Sequence, residues 1–184
     1  EDGRWREDFR GSDEFLYYAH IDGALSGDAA GLCVGHYENG KVVFDLLLEL
    51  RAPKGGELRL AGFVERIAEL RDARNFSIVH CSNDGWEGYS TRQAVEAKGM
   101  SGEVFSVDKQ RESYDCWLDL HNRGLLVYYS YEPYFSNCAD LQDMGKKIDH
   151  KPKGAKDVVD SACAVAHKLW QKYGNRRSFS GEIL

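Results

Sequence analysis

Apolar and polar residues alternate through the first third of the chain in a pattern that predicts three consecutive β-strands. The segment FLYYAHID, which follows Glu14, is rich in aromatic residues and predicts the first strand. The run AAGLCVGHYENGKVVFDLLLEL predicts two more strands joined at Glu38-Asn39-Gly40, because Asn-Gly between apolar runs is the strongest short-range signal for a hairpin. We therefore expect an antiparallel meander at the start of the fold.

Helical and strand-like patterns alternate through the rest of the chain. Apolar residues at helical spacing predict a helix from Leu58 to about Arg74. Further helices are predicted at residues 89–97 and 112–122, from Pro133 to about Met144, and from about Lys156 to Lys172. The strands predicted between them are FSIVHCSN, GEVFSV and LLVYYSY, and a basic loop, KKIDHKPKGAK, precedes the last helix.

This order of elements predicts an α/β fold with a mixed β-sheet. A three-stranded antiparallel meander followed by helix–strand crossovers adds parallel strands to the sheet and places helices on both of its faces. The ribonuclease H-like fold has this arrangement. We expect the domain to span residues 14–173, with a linker or arm at residues 1–13 and a C-terminal tail at residues 174–184.

The composition is that of an ordinary globular domain. Of the 184 residues, 42% are hydrophobic and 29% are charged, and no apolar stretch is long enough to cross a bilayer. The five cysteines form no CxxC pair, and we expect them to be reduced thiols in a cytosolic protein. The chain begins with Glu1 and not with Met, so we expect it to be part of a larger protein.

The net charge and the absent motifs argue against several functions. A formal net charge of -6 disfavours nucleic-acid binding by the chain as a whole, since phosphate contacts need Lys and Arg. A group of carboxylates that holds divalent cations is nevertheless acidic until the metals bind. The sequence has no GxSxG elbow, no GxGxxG after the first strand, no GxxxxGK[ST] phosphate loop and no paired Cys or His zinc spacing. Serine hydrolases, dinucleotide-binding enzymes, ATP motors and zinc sites are therefore disfavoured.

Three aspartates lie where strands end or a helix begins. Asp22 ends the first predicted strand, Asp84 ends the fourth, and Asp157 lies in the first turn of the last helix. Ligand sites of α/β sheets collect at such positions, so residues far apart in sequence can meet at one edge. Carboxylates grouped there could hold two Mg²⁺ or Mn²⁺ ions about 4 Å apart, which would stabilise charge on both reacting oxygens of a phosphodiester.

Each of these acids also has a structural interpretation. Asp22 and Asp84 are each followed by Gly, as in many turns, and acids such as Asp157 are favoured in the first turn of a helix. Asp160, one turn later, could join the site or be exposed. His20 points to the same face of its strand as Asp22, but it is more simply explained as a packed structural histidine.

A basic segment leads into the last helix and is the best candidate for contact with DNA. It could neutralise phosphates that flank a scissile bond, or it could be a solvated loop. Its members are Lys146, Lys147, His150, Lys151, Lys153 and Lys156.

Three stretches of the sequence resemble the nuclease domain of bacteriophage terminase large subunits. HIDGALSGDAAGLCVGHYENGKVVFDLLLEL resembles the opening of that domain, in which an Asp ends the first strand and a second Asp follows in a GD pair. SNDGWEG resembles its second acidic motif, and DHKPKGAKDVVDSACAV resembles its third. The similarity runs from Phe15 to Leu169, which is nearly the whole chain.

The resemblance implies a metal-dependent DNA endonuclease on a ribonuclease H-like fold. It makes catalytic metal ligands of Asp22, Asp84 and Asp157, which would hold two Mg²⁺ or Mn²⁺ ions. Asp28 would be an accessory acid near the metals, and Asp160 would be an accessory acid that either supports the ligands or is an additional ligand itself.

The third motif departs from the family at one position. This chain has Lys156 beside the third ligand, where some relatives carry His or Asp. The resemblance therefore makes Lys156 an accessory residue and leaves its role open.

The same resemblance implies partners and a cellular location. In the family, this domain follows an ATPase domain that pumps DNA into a capsid, and it cuts concatemeric double-stranded DNA at the start and end of packaging. The implied partners are double-stranded DNA, the terminase ATPase domain, the portal and the small terminase subunit, all in the host cytoplasm and without a membrane. The alternatives are another ribonuclease H-like nuclease, such as a junction resolvase, or a non-catalytic module that docks the portal or the small subunit.

Overall fold

A six-stranded mixed sheet organises the computed structural model, which describes residues 8–23, 29–51, 60–85, 88–109, 111–145, 147–152 and 154–174. The strands lie in the order β5-β4-β1-β2-β3-β6. β1, β2 and β3 pair antiparallel, and β4, β5 and β6 are parallel additions at the two sides of this meander. The strands are β1 Tyr17–Gly23, β2 Ala29–Glu38, β3 Lys41–Arg51, β4 Ile78–Asn83, β5 Ser101–Val104 and β6 Leu126–Val127.

The turn between β2 and β3 is the hairpin that the sequence predicts. Asn39 and Gly40 have φ angles of 48° and 81°, which Asn and Gly tolerate better than other residues. Further along the hairpin, Gly35 pairs with Phe44 and Val34 pairs with Leu46, so that Asp45 forms a β-bulge between them. This β-bulge turns the Asp45 side chain toward His36, and the two side chains are 2.7 Å apart.

Helices cover both faces of the sheet. The helices are α1 Leu60–Ala73, α2 Gly88–Ala97, α3 Arg111–Asn122, α4 Glu132–Asp140 and α5 Asp157–Leu169, which continues into a π-helical turn at Trp170–Gly174. One core cluster packs α3, α4 and α5 against β2 and β3, and the other packs α1 and Val95 of α2 against the opposite face. Since strand residues alternate between faces, Ile21 enters the α1 core while His20 and Asp22 face α5.

The last strand of the sheet is shorter than the sequence predicts. A strand over LLVYYSY is wrong beyond Val127, because β6 contains only two residues. The tyrosines that follow bond the edge of β3 through their hydroxyls instead. The Tyr129 hydroxyl donates to the Leu47 carbonyl at 2.9 Å and accepts from the Leu47 N–H at 2.9 Å, and the Tyr131 hydroxyl accepts from the Glu49 N–H at 2.8 Å. Side chains thus replace backbone pairing along this edge.

A small hairpin replaces part of the predicted helix and basic loop between α4 and α5. α4 ends at Asp140 and not near Met144, and β7 Leu141–Asp143 pairs antiparallel with β8 Ile148–His150. Arg111 of α3 anchors this β7–β8 hairpin with two bonds to the Asp143 carboxylate, of 2.8 and 2.7 Å, and one to the Gly145 carbonyl at 2.6 Å. Gly145 has a φ of 80°, which suits a tight turn.

Part of the predicted N-terminal arm packs against the domain. The Phe9 ring lies 5.1 Å from that of Phe76, and the Gly11 N–H donates to the Arg74 carbonyl at 2.8 Å. Residues 1–7 and 175–184 lie outside the described residues, so the limits of the arm and of the C-terminal tail stay predictions. Within the described ranges, no helix combines the length and apolarity needed to span a bilayer.

Candidate metal centre

Asp22 and Asp84 are neighbours at one edge of the sheet. β1 and β4 run parallel, with Ile21 opposite Asn83, so both strands end side by side. The Asp84 N–H donates to the Ile21 carbonyl at 3.2 Å and extends this pairing by one step. Asp22 is buried, and Asp84 is half-buried with its Oδ1 accepting from the Gly85 N–H at 2.6 Å.

The start of α5 lies directly on β2 beside these acids. Gly31 pairs with Asp22, and a Cβ built on Gly31 would be 2.1 Å from the Asp157 carbonyl oxygen and 2.7 Å from the Val158 nitrogen. Only glycine permits so close an approach. Asn137 of α4 accepts from the Val158 N–H at 3.2 Å and satisfies one of the free amides at the helix start. Asp157 is thereby fixed over β2, next to Asp22.

Glu49 is a fourth acid at this place, and sequence reasoning missed it. Gly31 pairs with Asp22 on one side and with Glu49 of β3 on the other, so all three positions share one face of the sheet. The Glu49 side chain is only 9% exposed, and its Oε1 accepts from Arg51 Nε at 2.7 Å. Its carboxylate also acts electrostatically on Asp157.

The carboxylates interact strongly enough to shift one another's protonation. Burial raises the pKa of Asp22 well above its usual range, and the carboxylates of Asp160, Asp157 and Asp84 raise it further. Burial likewise raises the pKa of Asp157 to about 6, with added repulsion from Asp160 and Glu49. Acids distant in sequence therefore form a single electrostatic unit, which we call the acid cluster: Asp22, Asp84, Asp157, Asp160 and Glu49.

The Lys156 ammonium lies among the aspartates of the acid cluster. Lys156 Nζ donates to Asp160 Oδ2 at 2.8 Å and also bonds the Asp108 carboxylate. The other Asp160 oxygen accepts from the Tyr114 hydroxyl. Sequence analysis singled out Lys156 and Asp160 but missed Asp108 and Tyr114. Asp108 follows β5 and Tyr114 is in α3, and neither belongs to a motif.

The donor chemistry of the acid cluster suits a hard divalent cation. Mg²⁺ and Mn²⁺ favour carboxylate oxygens, and a cation would relieve the repulsion that adds to burial in raising the pKa values of Asp22 and Asp157. In the part of the chain that the structure describes, no three His, Cys, Asp or Glu side chains are close enough together to enclose an ion. The assignment of Asp22, Asp84 and Asp157 as metal ligands therefore stays a prediction.

Three of the predicted DNA-binding residues, Lys147, His150 and Lys151, lie on the β7–β8 hairpin or just after it. Lys147 pairs with Asp149, and Lys151 pairs with Asp140 at 3.3 Å, although each lysine side chain is about half exposed. His150 Nδ1 is 2.8 Å from the Lys151 carbonyl. Lys146, Lys153 and the accessory acid Asp28 lie outside the described residues.

His20 packs beneath the acid cluster as a neutral side chain. It is fully buried, and its Nδ1 is 2.8 Å from Ser82 Oγ. Burial lowers its pKa to about 3, with further lowering by His80 and Lys168. The structural interpretation of this histidine fits these surroundings.

Comparison with known proteins identifies the fold. Neither a protein-family model nor a curated protein matches the sequence. Among solved structures, the large terminase nuclease from thermophilic phage G20c with bound magnesium matches with a TM-score of 0.68 and 12% identity, over 86% of this chain and 84% of that chain. The HK97 bacteriophage large terminase matches with a TM-score of 0.67 and 14% identity, over 84% of this chain but 39% of that chain.

A third match has a lower TM-score and comes from a human virus. The human cytomegalovirus terminase nuclease domain, in an Mn-soaked structure, has a TM-score of 0.55 and 11% identity, over 84% of both chains. The chain therefore has the fold of terminase nuclease domains, and the predicted ribonuclease H-like fold class is confirmed.

Proposed function

We propose that this chain is the endonuclease domain of a phage DNA-packaging terminase. It cuts concatemeric double-stranded DNA by hydrolysis of a phosphodiester bond and depends on two Mg²⁺ or Mn²⁺ ions. The observation that carries the proposal is the placement of Asp22, Asp84 and Asp157 at one sheet edge, on a fold shared with terminase nucleases. A solved G20c nuclease with bound magnesium and a cytomegalovirus nuclease soaked with manganese support the choice of metal.

The acid cluster supplies the ligands for this reaction. Asp22, Asp84 and Asp157 would hold the ions, with Asp28 as an accessory acid. When bound, the ions would activate the attacking water and stabilise charge on the leaving oxygen. The chain itself would fix the ligand positions, because β1 and β4 are joined by backbone hydrogen bonds and the start of α5 packs directly on Gly31 of β2. Burial of Asp22 keeps bulk water away from one side of the site.

This domain alone would bind DNA weakly. The predicted DNA-binding residues are Lys146, Lys147, His150, Lys151 and Lys153. Their neighbourhood also contains Asp140 and Asp149, which already neutralise Lys151 and Lys147. With a formal net charge of -6, the domain should bind DNA with modest affinity that falls steeply with salt. The ATPase domain of a full-length terminase would supply most of the affinity for DNA. The portal and the small terminase subunit would be the partners of the full-length protein in the host cytoplasm.

Plasmid cutting tests the proposal directly. Supercoiled plasmid is incubated with the parent chain, Asp22→Asn, Asp157→Asn and the control Asp119→Asn, in Mn²⁺, Mg²⁺ or EDTA. Asp119 is a surface residue of α3 paired with Arg123, so its variant controls for loss of one carboxylate elsewhere. We expect cutting by the parent and the control in Mn²⁺ or Mg²⁺, none in EDTA, and a loss of at least about 100-fold in the two site variants.

Other outcomes separate the alternatives. Equal cutting by the parent and both site variants would mean that the acid cluster is not the catalytic site. No cutting by the parent with either metal would favour a non-catalytic docking module. Strong preference for a four-way junction over linear duplex would favour a junction resolvase.

A further inference from the structure

Both carboxylate oxygens of Asp160 are already occupied by donors from the chain. Oδ1 accepts from the Tyr114 hydroxyl, and Oδ2 accepts from Lys156 Nζ at 2.8 Å. The Asp160 side chain is only 6% exposed, so water does not compete for these oxygens. Tyr114 is itself buried in the core formed by α3, α4 and α5, which fixes its hydroxyl in place. Asp160 is thus held in one orientation by the fold.

The Lys156 ammonium is also held in one place. It lies between the Asp160 and Asp108 carboxylates, and its side chain is 12% exposed. Ordering a flexible lysine side chain costs conformational entropy, and burying its charge costs desolvation free energy. A buried lysine therefore normally bonds partners of opposite charge. Here two of its three N–H donors are used, and its positive charge lies close enough to Asp22 to act on that carboxylate.

We propose that Asp160 is a positioning residue and not a metal ligand: with Asp108 it holds the Lys156 ammonium as a permanent positive charge beside Asp22 and Asp157. This inference rests on the proposed function, which assigns the metals to Asp22, Asp84 and Asp157. It gives Lys156 a defined role, since the ammonium balances part of the charge of the acid cluster and competes electrostatically with added divalent ions.

Calorimetric titration with MnCl₂ on the whole chain tests whether Asp160 is a ligand. We expect Asp160→Asn to bind Mn²⁺ within about threefold of the parent, whereas Asp157→Asn loses at least about tenfold in affinity, because the number of charged ligands sets the affinity for a hard divalent cation. Lys156→Met should bind Mn²⁺ several-fold more tightly because a competing charge is gone, and Lys156→Arg should stay close to the parent. A loss in Asp160→Asn as large as that in Asp157→Asn would overturn the inference.

A second measurement needs no metal and reports on Lys156 itself. The chain is acetylated in EDTA with acetic anhydride, and the rate at each lysine is read by mass spectrometry, with the exposed Lys41 as internal reference. We expect Lys156 to react at least about tenfold more slowly than Lys41 in the parent, and Asp160→Asn or Asp108→Asn to speed it. Equal rates at both lysines in the parent would show that Asp160 does not hold Lys156.

The two measurements distinguish the failure of each proposal. A parent chain that binds no Mn²⁺ but protects Lys156 from acetylation would overturn the proposed function and leave the role of Asp160 in holding Lys156 supported. A parent chain that binds Mn²⁺ and leaves Lys156 as reactive as Lys41 would support the metal centre and overturn this inference.

Discussion

Gly31 lies against the backbone of Asp157, so closely that a Cβ on Gly31 would be 2.1 Å from the Asp157 carbonyl oxygen and 2.4 Å from its carbonyl carbon. Neither group can yield easily, because one belongs to a central strand and the other to the start of a buried helix. The absence of a side chain at residue 31 is therefore what allows α5 to bring Asp157 to the acid cluster.

Gly31→Ala should push the start of α5 away from β2. We expect the free energy of unfolding to fall by roughly 1–3 kcal/mol, the usual cost of overpacking a core. We also expect Mn²⁺ binding to weaken, because Asp157 moves relative to Asp22. Chemical denaturation and calorimetric titration measure the two effects.

Gly62→Ala is the matched control for this substitution. Gly62 lies within α1, and a Cβ there meets no atom within 4 Å. Alanine is the better helix former, so this variant should be stabilised by up to about 1 kcal/mol and should bind Mn²⁺ normally. If Gly31→Ala behaved like Gly62→Ala, the close approach of α5 would not be needed for the site.

Asp22→Asn should be more stable than the parent when EDTA removes divalent ions. Burial and the neighbouring carboxylates disfavour the charged form of Asp22, as its raised pKa indicates. A neutral amide escapes this cost, and we expect a gain of about 1–2 kcal/mol in the free energy of unfolding near pH 7.

The same variant should lose the response to added metal. Mn²⁺ that binds only the folded chain should raise the melting temperature of the parent with increasing concentration, and should have little effect on Asp22→Asn. A variant that is less stable than the parent in EDTA would contradict the electrostatic interpretation of this acid.

Tyr129→Phe should expose the edge of β3. The variant removes the hydroxyl that bonds both the N–H and the carbonyl of Leu47, so we expect a loss of about 1–2 kcal/mol and faster exchange of the Leu47 amide hydrogen. Tyr128→Phe is the control, because the Tyr128 hydroxyl makes a 3.3 Å contact with His121 at the surface and is not bonded to Leu47. Equal exchange at Leu47 in both variants would show that the hydroxyl does not protect this edge.

The His36–Asp45 pair should make stability depend on pH. Burial lowers the pKa of His36, but the bonds to Asp45 and Glu38 outweigh it and leave the pKa above its usual value. The pair therefore stabilises the fold fully below the ordinary histidine pKa of about 6.5, and this contribution is lost as the pH rises through the raised pKa.

We expect His36→Gln to cost about 1 kcal/mol more at pH 5.5 than at pH 8.5. Denaturation of the parent and variant at both pH values gives this difference. A larger cost of His36→Gln at the higher pH would contradict the assigned direction.

Local signals predicted most of the strands and helices. Asn39-Gly40 fixes the β2–β3 turn because Asn and Gly adopt positive φ more readily than other residues. Asp22 and Asp84 could be placed at one edge because parallel neighbouring strands end together. Each of these inferences uses the chemistry of a few adjacent residues.

Features that depend on contacts between distant segments could not be predicted. The bulge at Asp45 shifts the β2–β3 register by one residue, so Glu49 faces Gly31 although no local pattern marks the shift. Tyr129 and Tyr131 have a strand-like pattern, yet their hydroxyls bond β3 and the backbone does not. Asp108 is joined to the acid cluster by its bond to Lys156, and the two residues are far apart in the sequence.

The acid cluster depends on the pairing of β1 with β4 and on the packing of α5 against Gly31. These contacts also determine at what stage of protein synthesis the acid cluster can form. A chain that has left the ribosome only as far as β5 contains Asp22 and Asp84, but it lacks Asp157 and the helix that carries it. Contacts of such long sequence separation form late, after the intervening segments have folded. An incomplete translation product therefore carries a partial set of carboxylates, and the full set appears only once α5 has been made and has docked.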